Sequence, residues 1–258
     1  MLKIAVCVKQ VPAGKAGLNY STGNIERSKS SGMLNMYDYG ALETALRMKD
    51  DMGAQVDIFT MGPPKAEDVL REAKSLGADR LFLISDRAFS GSDVLATSYT
   101  ISQAILKQEE YDLILCGRQT TDGDTAQVSG SIASWLGYNY LPWAGKIIEM
   151  DETKIKIASV MDGTTDILEA IYPCVVSVEP GIYTARAATL KGKLSSRKAE
   201  VEILGNDKLE LDEERIGQKG SATKVKKVEF REAKECAEIL EMKPDEFFEL
   251  INRETERI

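Results

Sequence analysis

The sequence predicts a doubly wound α/β domain, built on a mainly parallel sheet with an antiparallel edge and an extended carboxy-terminal arm. Three observations lead there. Short apolar runs alternate with helical stretches long enough to act as crossovers between parallel strands. After about residue 140 the helices give way to strand-like runs joined by short turns. From about Gly181 the chain becomes polar and charged, with few apolar anchors.

Each element has its own basis. Residues 2–8 are an apolar run with β-branched side chains, as a strand buried on both faces requires. A polar loop with glycines follows, from Gln10 to about Asn35. Residues 39–52 carry Ala41, Leu42, Ala45, Leu46 and Met48 at helical spacing, and Gly53 stops them. Residues 54–60 make a second strand, ending at Met61 and Gly62. Pro63 and Pro64 introduce a helix to about Leu76. Residues 80–84 are a third strand and 93–107 a third helix, with Ser92 as its cap. Residues 111–116 are a fourth strand, followed by the loop 117–128 and a helix to Trp135. The runs 145–149, 154–160 and 174–179 read as the antiparallel edge. Pro244 opens a last helix over 245–253. The polar stretch before it is expected to lie on a partner subunit as an arm, the alternative being a disordered extension.

Charge and composition narrow the function. With 41 acidic and 33 basic side chains the formal net charge is −8. That balance disfavours nucleic acid and anionic membrane surfaces, which need a positive footprint. No stretch approaches the roughly 20 apolar residues of a bilayer span, and the amino terminus lacks a signal-peptide pattern. A cytoplasmic location is expected. Cys7, Cys116, Cys174 and Cys236 form no C-x-x-C pair, and the first three lie in apolar runs as reduced thiols. Histidine is absent. Its absence removes Ser-His-Asp and Cys-His catalysis and His-ligated zinc. We expect no catalytic side chain and no metal site, and assign the chemistry to a bound cofactor.

In an open parallel sheet, ligands gather beyond the carboxyl ends of the strands. The most telling strand end is Gly117, Arg118, Gln119, Thr120, Thr121, Asp122, Gly123, Asp124, Thr125, Ala126, Gln127 and Val128. Its glycines permit close approach of backbone to ligand, and its threonines offer hydroxyl donors. A helix expected to begin near Asp124 would point free N–H groups at a phosphate. Asp122 and Asp124 can cap that helix or accept from ribose hydroxyls. The bland alternative is an ordinary strand-to-helix turn. The loop is neither G-x-G-x-x-G nor a P-loop, so ATP hydrolysis is not indicated. Lys9 can reach a phosphate or flavin oxygen, or be a surface lysine. Asn35 and Asp38 can cap the first helix, read an adenine or ribose edge, or do both.

Four stretches in order, V-K-Q-V-P at 8–12, N-M-Y-D at 35–38 with the helix after it, G-A-D-R at 77–80 and the 117–128 loop, resemble the small (β) subunit of electron-transfer flavoproteins. The resemblance runs from Leu2 to about Val201. It implies a heterodimer with a larger α subunit and a nucleotide site comprising Cys7, Lys9, Asn35, Met36, Tyr37, Asp38, Met61 and the 117–128 loop. Met36 stands where the family commonly has proline. One branch of the family binds AMP here as a structural piece. The other, electron-bifurcating branch binds a second FAD, and the V-K-Q-V-P and D-G-D-T-A-Q-V stretches look like that branch. In it Asp93, Thr97 and Ser98 would meet the flavin ring or ribityl chain.

The resemblance further implies that FAD in this subunit takes hydride from NADH. Its electrons then divide between the α-subunit FAD, with its FAD-dependent dehydrogenase of acyl-CoA or 2-hydroxy-acid type, and a low-potential acceptor such as ferredoxin. Leu190, followed by Lys191, Lys193, Arg197 and Lys198, looks like the family's recognition loop for the dehydrogenase. We therefore read residues 1–180 as a nucleotide-binding α/β domain and 181–258 as recognition loop and arm. A non-bifurcating AMP-containing β subunit is the alternative within the family. A nucleotide-binding regulatory domain of universal-stress type is the alternative outside it.

Overall fold

A computed structural model describes residues 1–13, 17–18, 25–26, 32–224 and 242–255. They fall into two compact units, Met1–Lys226 and Lys227–Ile258. The first opens with β1 (Lys3–Cys7) and β2 (Gln10–Pro12), then β3 (Gly17–Leu18), β4 (Ile25–Glu26) and β5 (Gly32–Leu34). The expected loop from Gln10 to Asn35 thus contains the antiparallel pairs β2–β5 and β3–β4. Next come α1 (Asp38–Met52), β6 (Gln55–Met61), α2 (Glu67–Leu76), β7 (Arg80–Ile84), α3 (Val94–Gln108), β8 (Leu113–Gly117) and α4 (Val128–Leu136). The chain continues through β9 (Asn139–Met150), β10 (Lys154–Met161), β11 (Thr164–Ile171), β12 (Cys174–Val178), α5 (Leu190–Lys198), β13 (Glu202–Leu204), α6 (Asn206–Leu209) and α7 (Gly217–Gly220). In the second unit the described residues form α8 (Pro244–Thr255), where Phe247, Phe248 and Ile251 are exposed.

Nine strands form one sheet in the order β11-β10-β9-β12-β8-β1-β6-β7-β13. Every pairing from β9–β12 to β7–β13 is parallel, and only β9–β10 and β10–β11 are antiparallel. The chain runs outward from β1 through β6 to β7, then returns to lay β8 on the other side of β1. That reversal is the switch point where ligands collect. One face of the sheet is closed by α1 and α2, through side chains such as Leu42, Leu46, Val69 and Leu70. The other is closed by α3 and α4 through Tyr99, Ile101 and Ile132. On that second face Phe59 and Phe82 stack with centroids 4.6 Å apart.

Four expectations change. Residues 174–179 do not continue the antiparallel edge, because β12 enters the sheet interior between β8 and β9. Its five side chains are all buried, the mark of a strand covered on both faces. The third edge strand is β11, whose residues are mostly exposed and therefore gave no apolar signal. Asp93, not Ser92, caps α3 by accepting from Ala96 N at 3.1 Å. Finally, Leu204, Leu209, Leu211 and Ile216, in the polar stretch read as an arm, are buried in this chain's own core. Cys236 and residues 225–241 of that stretch lie outside the described residues.

Candidate functional site

Beyond the ends of β8, β1, β6 and β7 lies a cavity of about 960 Å³. Its floor is where Cys7 and Cys116 sit as register partners on adjacent strands. The neighbouring Cys7 thiol and burial together hold Cys116 well above its ordinary pKa. Cys7 is half-buried where Cys116 and Cys174 are buried, and all three are free thiols.

One wall is the 117–128 loop. α4 begins at Val128, later than the position near Asp124 expected from sequence, and neither aspartate caps it. Asp122 instead takes Lys9 Nζ at 2.6 Å, tying the end of β1 to the loop. Asp124 accepts from Gln119 Nε2 at 2.6 Å, and the same nitrogen donates to Tyr37 Oη at 3.2 Å. The delay has a conformational cause: Asp124 and Ala126 hold positive φ of 52° and 54°. Ala126 is followed by Gln127 in the right-handed region (φ −108°, ψ −19°), with no side-chain cap on α4. A left-handed residue followed by a right-handed one points successive N–H groups into one concavity, a nest for an anion. Here it coincides with the free N–H groups and positive dipole end of α4.

Asn35, from behind, and Asp38, at the cavity's edge, brace this wall, and capping of α1 is not their work: its N-cap position is Tyr37, without a side-chain cap bond. Both are buried. Asn35 Nδ2 donates to Gln119 O at 2.8 Å and to Asp38 Oδ1 at 2.9 Å, while Asn35 Oδ1 accepts from Thr121 N at 3.4 Å. Asp38 Oδ2 accepts from Lys9 N at 2.8 Å. Burial pushes the Asp38 carboxyl up to about 7, against the opposing N–H donors of Lys9, Asn35 and Gly117. Gly117 has no room for a side chain, since a Cβ there would overlap Asp38 Oδ1 and lie 2.7 Å from the carbonyl carbon of Tyr37. Arg118 leaves the loop toward β12, with Nη1 2.7 Å from Glu179 Oε1 and its guanidinium 4.5 Å from the Trp143 ring centroid. Trp143 itself has φ +50° and donates its N–H to Ser177 Oγ at 2.8 Å.

The opposite wall is the stretch from Ser85 to Thr97, with Met61 between the two. Asp93 and Thr97 line it, but Ser98 is buried behind, where its Oγ meets Trp135 Nε1 at 3.2 Å. Of the residues expected at the site, Cys7, Lys9, Asp38, Met61, Asp93 and Thr97 line the cavity, with Gly117 to Thr120, Gly123 and Thr125 to Val128. Asn35, Tyr37, Thr121, Asp122 and Asp124 support it from outside, and Met36 points away at 58% exposed. Arg87, Phe89 and Ser90 also line it. Only their place at a strand end could have signalled them.

Leu190 lies elsewhere. The expected recognition loop is the helix α5, capped by Thr189 Oγ1 accepting from Gly192 N at 3.0 Å. Leu190 and Leu194, one turn apart, are 75% and 53% exposed. Among the described residues no cluster suited to a metal ion occurs, and no helix is long and apolar enough to cross a membrane.

The electron transfer flavoprotein domain matches residues 22–209. Protein FixA of Azotobacter vinelandii is 41% identical over 86% of this chain and 82% of its own length. The electron transfer flavoprotein subunit beta of Clostridium acetobutylicum is 36% identical over 93% and 92% respectively. Subunit CarD of the caffeyl-CoA reductase-Etf complex of Acetobacterium woodii is 35% identical over 87% and 86%.

Proposed function

The chain belongs to the electron transfer flavoprotein family as a β subunit, and from that premise we propose that its cavity holds FAD rather than AMP, in the bifurcating manner. Membership removes the regulatory-domain alternative. The observation that carries the choice of FAD is the cavity's span. It runs from the end of β8 past β1 and β6 to the end of β7. Three interstrand spacings are about 14 Å. A mononucleotide anchored by its phosphate at the β8 end would fill only part of a cavity of about 960 Å³.

The residues fit that cofactor. The N–H groups of Ala126, Gln127 and Val128, with Lys9, would hold phosphate. Close backbone approach is possible at Gly123, where the nearest atoms to an added Cβ are Thr120 Oγ1 and Lys9 Nζ at 3.3 and 3.8 Å. Met61, Phe89 and Thr97 would enclose the ring end. When bound, the flavin supplies what no side chain here can: acceptance of hydride from NADH and release of electrons one at a time. The chain's own residues bind, orient and exclude water. Cys116, held neutral, adds no charge to the cavity floor.

We place this subunit in a heterodimer with an α subunit carrying its own FAD, in the cytoplasm. The electrons would pass to that FAD and a dehydrogenase, and to a low-potential acceptor such as ferredoxin. Membership of CarD in a reductase complex supports a dehydrogenase-class partner. The docking element would be α5, an apolar pair of leucines rimmed by Lys191, Lys193 and Arg197 on an acidic protein. Nucleotides released from the purified heterodimer test the reading. Two FAD and no AMP are expected per heterodimer; one FAD with one AMP would sink it.

A further inference from the structure

The loop between β7 and α3 has little structure of its own. After the short turn 87–89 it runs through Ser90, Gly91 and Ser92 with no regular elements until Asp93. It nonetheless forms the wall at the β7 end of the cavity. What holds it comes from residues 205–223, far away in sequence and beyond the last strand.

The contacts run along the whole loop. Asp86 caps the turn by accepting from Ala88 N at 2.9 Å, and its other oxygen accepts from Asn206 N at 2.9 Å. Gly217, at φ +57°, packs so closely that a Cβ would overlap the carbonyl oxygen of Ala88. Ser221 Oγ accepts from Asp93 N at 2.9 Å and lies 2.7 Å from Gly217 O and 3.2 Å from Gly91 O. Asp93 Oδ2 accepts from Thr223 N at 2.8 Å and from Thr223 Oγ1 at 3.0 Å, while Oδ1 caps α3. Burial alone would raise the Asp93 carboxyl, but the Thr223 and Ala96 donors hold it below its usual range. A carboxylate with both oxygens so engaged is held in place.

We infer that Ser221 and Thr223, through Asp93, are positioning residues that set the β7 wall of the cavity and so select a flavin dinucleotide over a mononucleotide. This rests on the FAD reading above, and deepens it by naming what discriminates the two ligands. The phosphate end of the cavity is held separately, by Asn35, Asp38 and the Lys9–Asp122 pair. Loosening the 221–223 clamp should therefore act on one end only.

The test uses the full-length chain freed of nucleotide and titrated separately with AMP and with FAD. Removing two hydroxyls in the variant S221A/T223V deletes hydrogen bonds that together account for about a tenfold change in affinity. FAD should bind about tenfold more weakly, AMP should change less than about twofold, and the visible spectrum of the bound flavin should shift. Thr223→Ser alone, which keeps both hydroxyls, should leave FAD affinity and spectrum as in wild type. Equal losses for both ligands would make the clamp a general support of the fold and overturn the inference, as would no change for either. Wild-type chain that takes AMP and not FAD would overturn the reading of the cavity itself. That failure shows before any variant is made.

Discussion

The two walls of the cavity are stabilised in different ways. At the β8 end the loop 117–128 is built from its own backbone, two left-handed residues and a glycine with no space for Cβ, braced by neighbours Asn35 and Asp38. At the β7 end the wall is an irregular segment, held by residues more than a hundred positions later. A rigid cradle suits phosphate, which is common to every nucleotide. A wall set from outside can be retuned without disturbing the cradle, and it faces the part of the ligand that differs. Changes at the first wall should therefore weaken all nucleotides alike, and changes at the second should separate FAD from AMP.

Gly117→Ala should break the cradle most severely. A Cβ there overlaps Asp38 and crowds Tyr37, and overpacking of this kind costs about 1–3 kcal/mol or more. Urea unfolding should report that loss, and binding of AMP and FAD should both become undetectable at micromolar ligand. Lys9→Met comes next, since a hydrogen bond to a charged group contributes about 1.5–3 kcal/mol. It also leaves Asp122 uncompensated by Lys9 beside the phosphate. Isothermal titration should show a loss of about tenfold or more for both ligands. Adding Asp122→Asn should recover part of it.

Asp38 links the cradle to pH. Its carboxyl is raised from 3.8 to about 7 by burial. Between those values the folded chain keeps a proton that the unfolded chain releases, so this group's contribution to stability is present below about pH 4 and lost as pH rises to about 7. The difference in unfolding free energy between wild type and Asp38→Asn should fall across that window and be flat above it. Smallest is Trp143→Ala, which removes the ring beneath Arg118. A cation–π contact at a partly exposed site contributes about 0.5–1 kcal/mol, so AMP and FAD should weaken by about threefold, with Trp143→Phe close to wild type.

The same contrast explains what was legible in the sequence. The cradle advertises itself, because Gly117, Gly123 and clustered threonines after an apolar strand have a local reason to stand together. That the strands through β8 run parallel was readable from alternating periods for the same reason, though their order was not. Neither Asp122 nor Asp124 caps α4, because positive φ at two non-glycine residues delays the helix to Val128, and that conformation has no composition signal. β12 was misplaced because a buried strand looks alike whether its neighbours run with it or against it. Ser221 and Thr223 were invisible: a serine and a threonine in a charged stretch acquire meaning only once Asp93 is beside them. The four core side chains between Leu204 and Ile216 were too dispersed to show a period.

That this cavity holds a redox-active dinucleotide is tested most directly by anaerobic titration of the purified heterodimer with NADH, following flavin absorbance. We predict bleaching of two flavins per heterodimer, lost selectively when the β7 wall is loosened by S221A/T223V. A heterodimer with one flavin that NADH leaves oxidised would contradict it.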